Sequence, residues 1–388
     1  MTPPPLRVGI DVRLAHWPGI GRYIEEIVGR MVADFPATTF VLFGNAQGGA
    51  TLRDYADPDL HSRLRAHNVE FVMCTVRPFS LLEPWTFARI VRAANVHVMH
   101  SPYINIPWLN RQAIPLLVTL HDFRHPDLAV QLGSVRTWFK RVYYEALTRL
   151  ALHRACMSIC VSEFLAGQVK AFRPALASRI HVITHAADAS FHPLDRAQAC
   201  ATVAQHFQLR APYFLFVGTF KPHKNLLAVV RALARLPDTV QLAVAAAPDP
   251  RYPEVQREVE RLQLQHRVQF LGHLPKEHLP ALYSAALATL LPSDYESFGL
   301  PVVESMACAT PVIAAPQPAL KEVGGDAACY AEPTPEGLAN AMADILNDPL
   351  PARRQEACLL RAAGFSWKRS AAQLHFLYQR AAGLATNA

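Results

Sequence analysis

The stretch "SDYESFGLPVVESMACATPVIAA", residues 293–315, sets two acids, Glu296 and Glu304, on either side of a Phe-Gly-Leu-Pro junction in otherwise apolar sequence. The residues "ALATLLPSD" leading into it read as a strand and "YESFG" as the loop at its carboxyl end. "PVVESMACA" reads as a helix with Pro301 near its first position, and "TPVIAA" as the next strand. In open α/β sheets ligands sit in the crevice beyond the carboxyl ends of the strands, so Glu296 falls in the crevice loop and Glu304 one turn into the helix. The N–H groups around Phe298, Gly299 and Leu300 stand at the positive end of that helix and suit an anion such as a diphosphate. Two carboxylates aimed at such an anion would repel it; accepting hydrogen bonds from sugar hydroxyls on either side is the compatible role. The plainer alternative is that Glu304 complements the helix start, worth under about 1 kcal/mol, and that Glu296 is solvated. The spacing alone does not decide between them.

Outward from this block the pattern repeats. "LRVGIDV", "TTFVLFG", "VHVMHSP", "PLLVTLHD" and "ACMSICVS" in the first half, and "YFLFVGT", "VQLAVAA", "RVQFLGH", "LATLLPS" and "TPVIAA" in the second, read as buried strands separated by loops or helical patterns. This is α/β architecture with two doubly wound domains and parallel sheets. The boundary is expected in "VITHAADASFHPLD", residues 182–195, where a strand-like run gives way to small, polar and Pro-containing residues. The expected division is 1–190, 191–365 and a last helix in 366–388 that folds back on the first domain.

With 388 residues, two domains are the natural expectation. The opening "MTPPPLRVGIDVR" lacks the apolar core and cleavage site of a signal peptide, and no apolar run reaches membrane-spanning length, so a cytoplasmic chain is expected. Seven cysteines without paired spacing argue against a disulfide framework or a zinc site. A formal charge of +7 calls for an anionic partner: nucleic acid, a membrane surface or a phosphorylated small molecule. Finger spacing and RNP-like strands are absent, so nucleic acid is set aside. "VRTWFKRVYYEALTRLALHRA", residues 135–155, carries aromatics among Arg136, Lys140, Arg141, Arg149 and Arg154 at helical spacing. It reads equally as a solvated basic face or as a dock for an anionic membrane. Asp57-Pro58-Asp59 formally satisfies a DxD metal motif but lies in polar loop sequence, and a solvated turn is expected. Gly19-Ile20-Gly21 lacks the third glycine of a dinucleotide fingerprint.

Taken together, the E-x7-E run from Glu296 to Glu304, "GIGRYIEEIV" (19–28), "TLHDFRHP" (119–126), "CVSEFLAGQV" (160–169), "FVGTFKPHKNL" (216–226), "FLGHLPKEHLPALYSAA" (270–286) and "FSWKRSAAQ" (365–373) resemble the retaining glycosyltransferases of family 4. The resemblance covers nearly the whole chain and implies the GT-B fold, two Rossmann-like domains facing across a cleft. It implies that Glu304 holds the ribose hydroxyls of a nucleotide-sugar and that Glu296 contacts the transferred sugar. N–H groups of Ser297, Phe298, Gly299 and Leu300 would meet the diphosphate. Lys224 would neutralise the leaving group, a sensible role because breaking a glycosyl–phosphate bond builds negative charge on the departing oxygen. His121 would lie near the donor sugar. Gly19 and Gly21 would line the donor phosphates and the acceptor side, and Thr219, His223 and Leu274 complete the implied donor pocket. Catalysis would need neither metal nor cofactor, the nucleotide-sugar being a substrate.

The chain also departs from the family pattern. Thr219 stands where many members carry arginine, and His223 where a subgroup has arginine before the lysine, so the diphosphate relies on Lys224 with Lys221 or His223 as assistants. Ala309 replaces a glycine before "TPVI", and "THAAD" (184–188) replaces an asparagine–glycine pair. The variant pattern is most similar to bacterial mannosyl- or rhamnosyltransferases of polysaccharide assembly. The expected reaction is therefore transfer, first from GDP-mannose, to a glycan or polyprenyl-linked acceptor at the inner face of the membrane. The rivals are a nucleotide-sugar 2-epimerase and a catalytically silent nucleotide-sugar-binding partner of a glycan assembly complex.

Overall fold

The computed structural model describes residues 5–17, 19–44, 66–109, 113–123, 135–210, 212–348 and 352–384, with residues 135–141 described by their backbone alone. Asp57 and Asp59, and the side chains of Arg136, Lys140 and Arg141, lie outside the described residues.

The chain divides into two units, Met1–His185 with Trp367–Ala388, and Ala186–Ser366. In the first unit the order is β1 (Arg7–Asp11), α1 (Ile20–Asp34), β2 (Thr39–Gly44), β3 (Val69–Met73), α2 (Glu83–Ala93), β4 (Val98–Ser101), β5 (Leu116–Leu120), α3 (Val135–Arg154), β6 (Met157–Cys160), α4 (Glu163–Phe172) and β7 (Ile180–Val182). The second unit runs α5 (Arg196–Phe207), β8 (Tyr213–Val217), α6 (Leu226–Leu233), β9 (Gln241–Ala245), α7 (Glu254–Arg261), β10 (Val268–Phe270), α8 (Leu279–Ala285), β11 (Thr289–Leu291), α9 (Leu300–Ala307), β12 (Val312–Ala314), α10 (Pro318–Gly324), β13 (Cys329–Tyr330), α11 (Pro335–Asn347) and α12 (Ala352–Ala363). The last helix, α13 (Trp367–Ala381), returns to the first unit.

Both sheets are parallel throughout, ordered β3-β2-β1-β4-β5-β6-β7 and β10-β9-β8-β11-β12-β13. Helices cover both faces of such sheets, so the inner strands are buried and largely apolar: "LLVTL" in β5 and "VIA" in β12 are buried from end to end. Three strands carry no such signal in the sequence. β3 sits at a sheet edge, half exposed, and β7 and β13 are only three and two residues long. Helix starts follow local chemistry. Ser162 accepts from the N–H of Leu165, Asp195 from that of Gln198, and Thr334 from that of Gly337 ahead of Pro335. No described helix is long and apolar enough to cross a membrane. All seven cysteines are free.

Two buried polar systems fix the first unit. Arg13, wholly buried, donates to Asp11 and Glu83, each at 2.7 Å, and its guanidinium lies 3.7 Å from the centre of the Phe87 ring. Asn105 donates to the same two carboxylates, so the segments following β1, β3 and β4 are tied at one point. The second system runs from α13 into the sheet. Tyr378 meets Nδ1 of His100 at 2.7 Å, Nε2 of His100 meets Thr119 at 2.8 Å, and Thr119 meets the Tyr23 hydroxyl at 3.0 Å. On α13, His375 stacks on Phe35 at 3.8 Å and bonds Thr38 at 2.9 Å, which seats that helix on the end of α1.

Burial pushes His100 down to about 3 and holds His185 well below the ordinary histidine value. Both are neutral in the folded chain and take up a proton only on unfolding. Their contribution is therefore complete above about pH 6.5 and is lost as pH falls toward the folded values. Urea unfolding is expected to show stability falling by up to about 2 kcal/mol per histidine between pH 6.5 and pH 5. A flat profile over that interval would contradict the neutral assignment.

Candidate active site

In the second unit β8 and β11 are neighbours, and the order of connection reverses between them, which is where doubly wound sheets open a crevice. The loop after β8 and the loop after β11 are bonded to each other there. The N–H of Asp294 donates to the carbonyl of His223 at 2.8 Å, and the Asn225 amide donates to the carbonyl of Pro292 at 2.9 Å and to Asp294 at 2.6 Å. Asn225 adopts a left-handed conformation, φ 55°, that asparagine tolerates, and so ends the short turn Pro222–Lys224 and starts α6. The two loops carry the first charged contact: Lys224 Nζ lies 2.5 Å from Glu296 Oε1, which also accepts from Ser293 at 2.9 Å. Both side chains are partly buried. Glu296 is therefore paired, not merely solvated.

Glu304 lies one turn into α9 and is 6 % exposed. The hydroxyl of Tyr283, itself fully buried on α8, donates to its Oε2 at 2.9 Å. The Tyr283 carbonyl in turn accepts from Thr310 at 2.7 Å, so the carboxylate is held by a partner that is itself fixed. At the start of α9, Gly299 has φ 96°, and a Cβ there would come 2.7 Å from Leu320. Only glycine fits, which leaves the backbone N–H groups from Gly299 onward at the helix start. Phe298 contributes backbone alone, since its ring is buried edge-on against Phe365 at 5.6 Å. Ser297 and Leu300 are half-buried beside it. Ala309, where the family pattern has glycine, takes φ 58°, a conformation that strains any residue with a Cβ.

Thr219 is exposed just past β8 and His223 half-buried beside Lys224. Leu274 is not brought to this contact; it follows β10 at the sheet edge and packs on the apolar cluster around Phe191 and Leu282.

In the first unit His121 follows β5 directly. Its ring meets Tyr23 edge-on at 4.9 Å and lies 5.4 Å from His185. Its Nε2 is shut off from solvent and has no hydrogen-bond partner among the described residues. Burial pushes it down to about 4, against the opposing pull of a hydrogen bond to the Pro102 backbone. At neutral pH the ring is uncharged, and with Nδ1–H donated to the Pro102 carbonyl its Nε2 is left as a hydrogen-bond acceptor. Gly19 and Gly21 separate in character. Gly19 caps α1 with φ 81° and open space around it, whereas a Cβ on Gly21 would come 2.0 Å from the carbonyl oxygen of Ala15. Gly21 is thus required by packing of α1 against the preceding turn. Among the described residues no three His, Cys, Asp or Glu side chains converge as metal ligands.

Sequence reading did not find Tyr283, Ser293, Asn225 or Tyr23. Tyr283 falls inside the quoted "LPALYSAA", but an apolar helical pattern gives no cue to where a hydroxyl points.

Residues 203–358 match the family described as glycosyl transferases group 1, and residues 17–191 the one described as Glycosyltransferase Family 4. Over 377 residues the chain is 27 % identical to the O-antigen chain mannosyltransferase B of Escherichia coli, an alignment covering 92 % of this chain and 94 % of that one. It is 30 % identical over 314 residues to the D-inositol 3-phosphate glycosyltransferase of Mycolicibacterium gilvum, 76 % and 70 % of the two chains. The solved structure of sucrose-phosphate synthase from Thermosynechococcus elongatus matches with a TM-score of 0.75 at 22 % identity, covering 98 % of this chain and all of that one. The chain belongs to the family 4 glycosyltransferases of GT-B fold, and its two parallel-sheet units are the Rossmann-like domains of that fold.

Gly21→Ala is expected to destabilise the chain by roughly 2 kcal/mol or more, because the clash is with backbone that cannot rotate away. Gly19→Ala meets no neighbour and pays only for its left-handed φ, about 1 to 2 kcal/mol. Equal urea midpoints for Gly21→Ala and wild type would overturn the packing role of Gly21 against Ala15.

Proposed function

We propose that this glycosyltransferase moves mannose from GDP-mannose, with retention at the anomeric carbon, to a glycan or polyprenyl-linked acceptor in polysaccharide assembly at the cytoplasmic face of the membrane. The observation that carries the reading is the Lys224–Glu296 contact, which joins a cation for the diphosphate to an acceptor for sugar hydroxyls on neighbouring crevice loops. The mannosyltransferase relative supports the choice of sugar. Glu304, fixed by Tyr283, takes the ribose hydroxyls, and the N–H groups opening α9 take the diphosphate. Neutral His121 offers its ring nitrogen to the donor sugar.

In the step itself the bond from the anomeric carbon to the phosphate oxygen breaks and a bond to the acceptor oxygen forms on the same face. The acceptor's proton passes to the departing diphosphate, so no protein nucleophile is called for. Lys224 stabilises the charge that builds on the leaving oxygen, and the reaction calls on no resident metal or cofactor.

In a thermal-shift panel of GDP, UDP, ADP and dTDP, GDP is expected to raise the midpoint most, since a ligand bound only by the folded state stabilises it. Glu304→Gln should weaken that shift by replacing a charged acceptor with an amide. A shift unchanged in the variant would remove Glu304 from the ribose, and a larger shift with UDP would replace the donor base.

Lys224→Ala is expected to lower turnover at saturating GDP-mannose roughly 100- to 1,000-fold. His223→Ala should lower it less, unless it substitutes for the arginine absent at Thr219, in which case the two losses are similar. Near-normal turnover in Lys224→Ala would refute the leaving-group role.

A further inference from the structure

Half of the twelve large apolar side chains exposed among the described residues belong to one region of the first unit: Leu81, Leu82, Trp85, Trp108, Val142 and Tyr143. Leu81 and Leu82 are 78 % and 71 % exposed at the start of α2, and Trp85, 56 % exposed, follows in its first turn. The Trp85 ring stacks on Trp108 at 5.3 Å, and the Tyr143 hydroxyl reaches the carbonyl of Phe79 at 3.1 Å, so the residues form one continuous surface. Single exposed apolar residues need no explanation, but a contiguous set does.

The charge that α2 and residues 102–109 bring to this surface has one sign, and on α3 the exposed Glu145 is paired with Arg149 at 3.7 Å. Arg89 and Arg92 are exposed four and seven positions after Trp85, on the same side of α2. Arg92 donates to the Trp108 carbonyl at 3.1 Å, and the Arg154 guanidinium lies 4.3 Å over the Trp108 ring. The single acid of α2, Glu83, is buried against Arg13, and residues 102–109 contain no acid. Flat amphipathic rings with aliphatic neighbours and arginines are what the headgroup level of an anionic bilayer accepts. A second copy docked through the same face would set arginine against arginine. Leucines so exposed offer nothing to a phosphate backbone without a lipid interior beneath it.

We propose that this face docks on an anionic lipid bilayer, with Trp85 and Trp108 at headgroup level and Arg89, Arg92 and Arg154 against lipid phosphates. The proposal rests on the polyprenyl-linked acceptor of the proposed function and names the surface that serves it. The start of α2 and residues 102–109 lie at the carboxyl end of the sheet, the end at which His121 follows β5, so a docked unit presents that edge to a membrane-borne acceptor. The sequence offered the helix at 135–155 for this task. α3 contributes Val142, Tyr143 and Arg154, but the stacked tryptophans come from α2 and the loop after β4.

The test is co-sedimentation of the full chain with vesicles of phosphatidylcholine alone or mixed with phosphatidylglycerol, at low and high salt, with tryptophan emission read alongside. Wild type should bind the anionic vesicles with a blue shift, and high salt should weaken the binding. Arg89→Gln/Arg92→Gln should bind roughly 25-fold more weakly, at about fivefold per arginine. Trp85→Ala/Trp108→Ala should lose about tenfold or more together with the blue shift. Both variants should keep wild-type GDP-mannose hydrolysis and far-ultraviolet circular dichroism. Wild type that transfers sugar but ignores anionic vesicles overturns the docking while the glycosyltransferase reading stands. Vesicle binding equal in all three proteins overturns the assignment to this face. Concentration-dependent dimerisation lost in Trp85→Ala/Trp108→Ala, without vesicle binding, assigns the face to a second copy and overturns the lipid.

Discussion

Parallel strand pairing is the constraint on which the rest of this molecule depends. All strands in each sheet run the same way, so every connection must cross back over a face, and every carboxyl end opens at one edge. Loops that carry chemistry therefore collect at that edge without further instruction. In the second unit these are the loops holding Lys224 and Glu296, and the start of α9; in the first they are the residues after β1, β4 and β5.

Within that frame, each acidic side chain of the second site is given a partner before any ligand arrives. Glu296 has Lys224 and Ser293, and Glu304 has Tyr283. Pairing of this kind holds a carboxylate in one rotamer, so its acceptor oxygens are oriented before any ligand meets them. The partly exposed Lys224–Glu296 pair adds little stability by itself. Its lysine can thus change partner at small cost to the fold.

The first unit holds an uncharged histidine at the carboxyl end of an inner strand. Tyr23 stands edge-on to His121, and its hydroxyl is fixed through Thr119 and His100 to Tyr378 on α13. The last helix of the chain is thereby part of the surroundings of His121, although more than 200 residues separate them. Burial keeps His100, His121 and His185 neutral, so aromatic packing and hydrogen bonds, not ion pairs, set their geometry.

The sequence by itself determined the alternation of apolar runs and helical patterns, and with it two parallel α/β domains, because continuous Val/Leu/Ile runs bounded by turn residues have few other uses. It also determined where the two acids fall, Glu296 in the loop after β11 and Glu304 one turn into α9, on either side of Gly299. Edge strands such as β3 and the two-residue β13 left no trace, since half-exposed or very short pairing has no periodicity to read. What the tertiary structure decided is partnership. That Lys224 reaches Glu296, that Tyr283 holds Glu304, that Gly21 serves packing against Ala15, and that Trp85 meets Trp108 are all contacts between segments distant in sequence or differently oriented. Side-chain direction across a sheet crevice depends on how strands are ordered and how helices lie over them, and neither is written in the local spacing of residues.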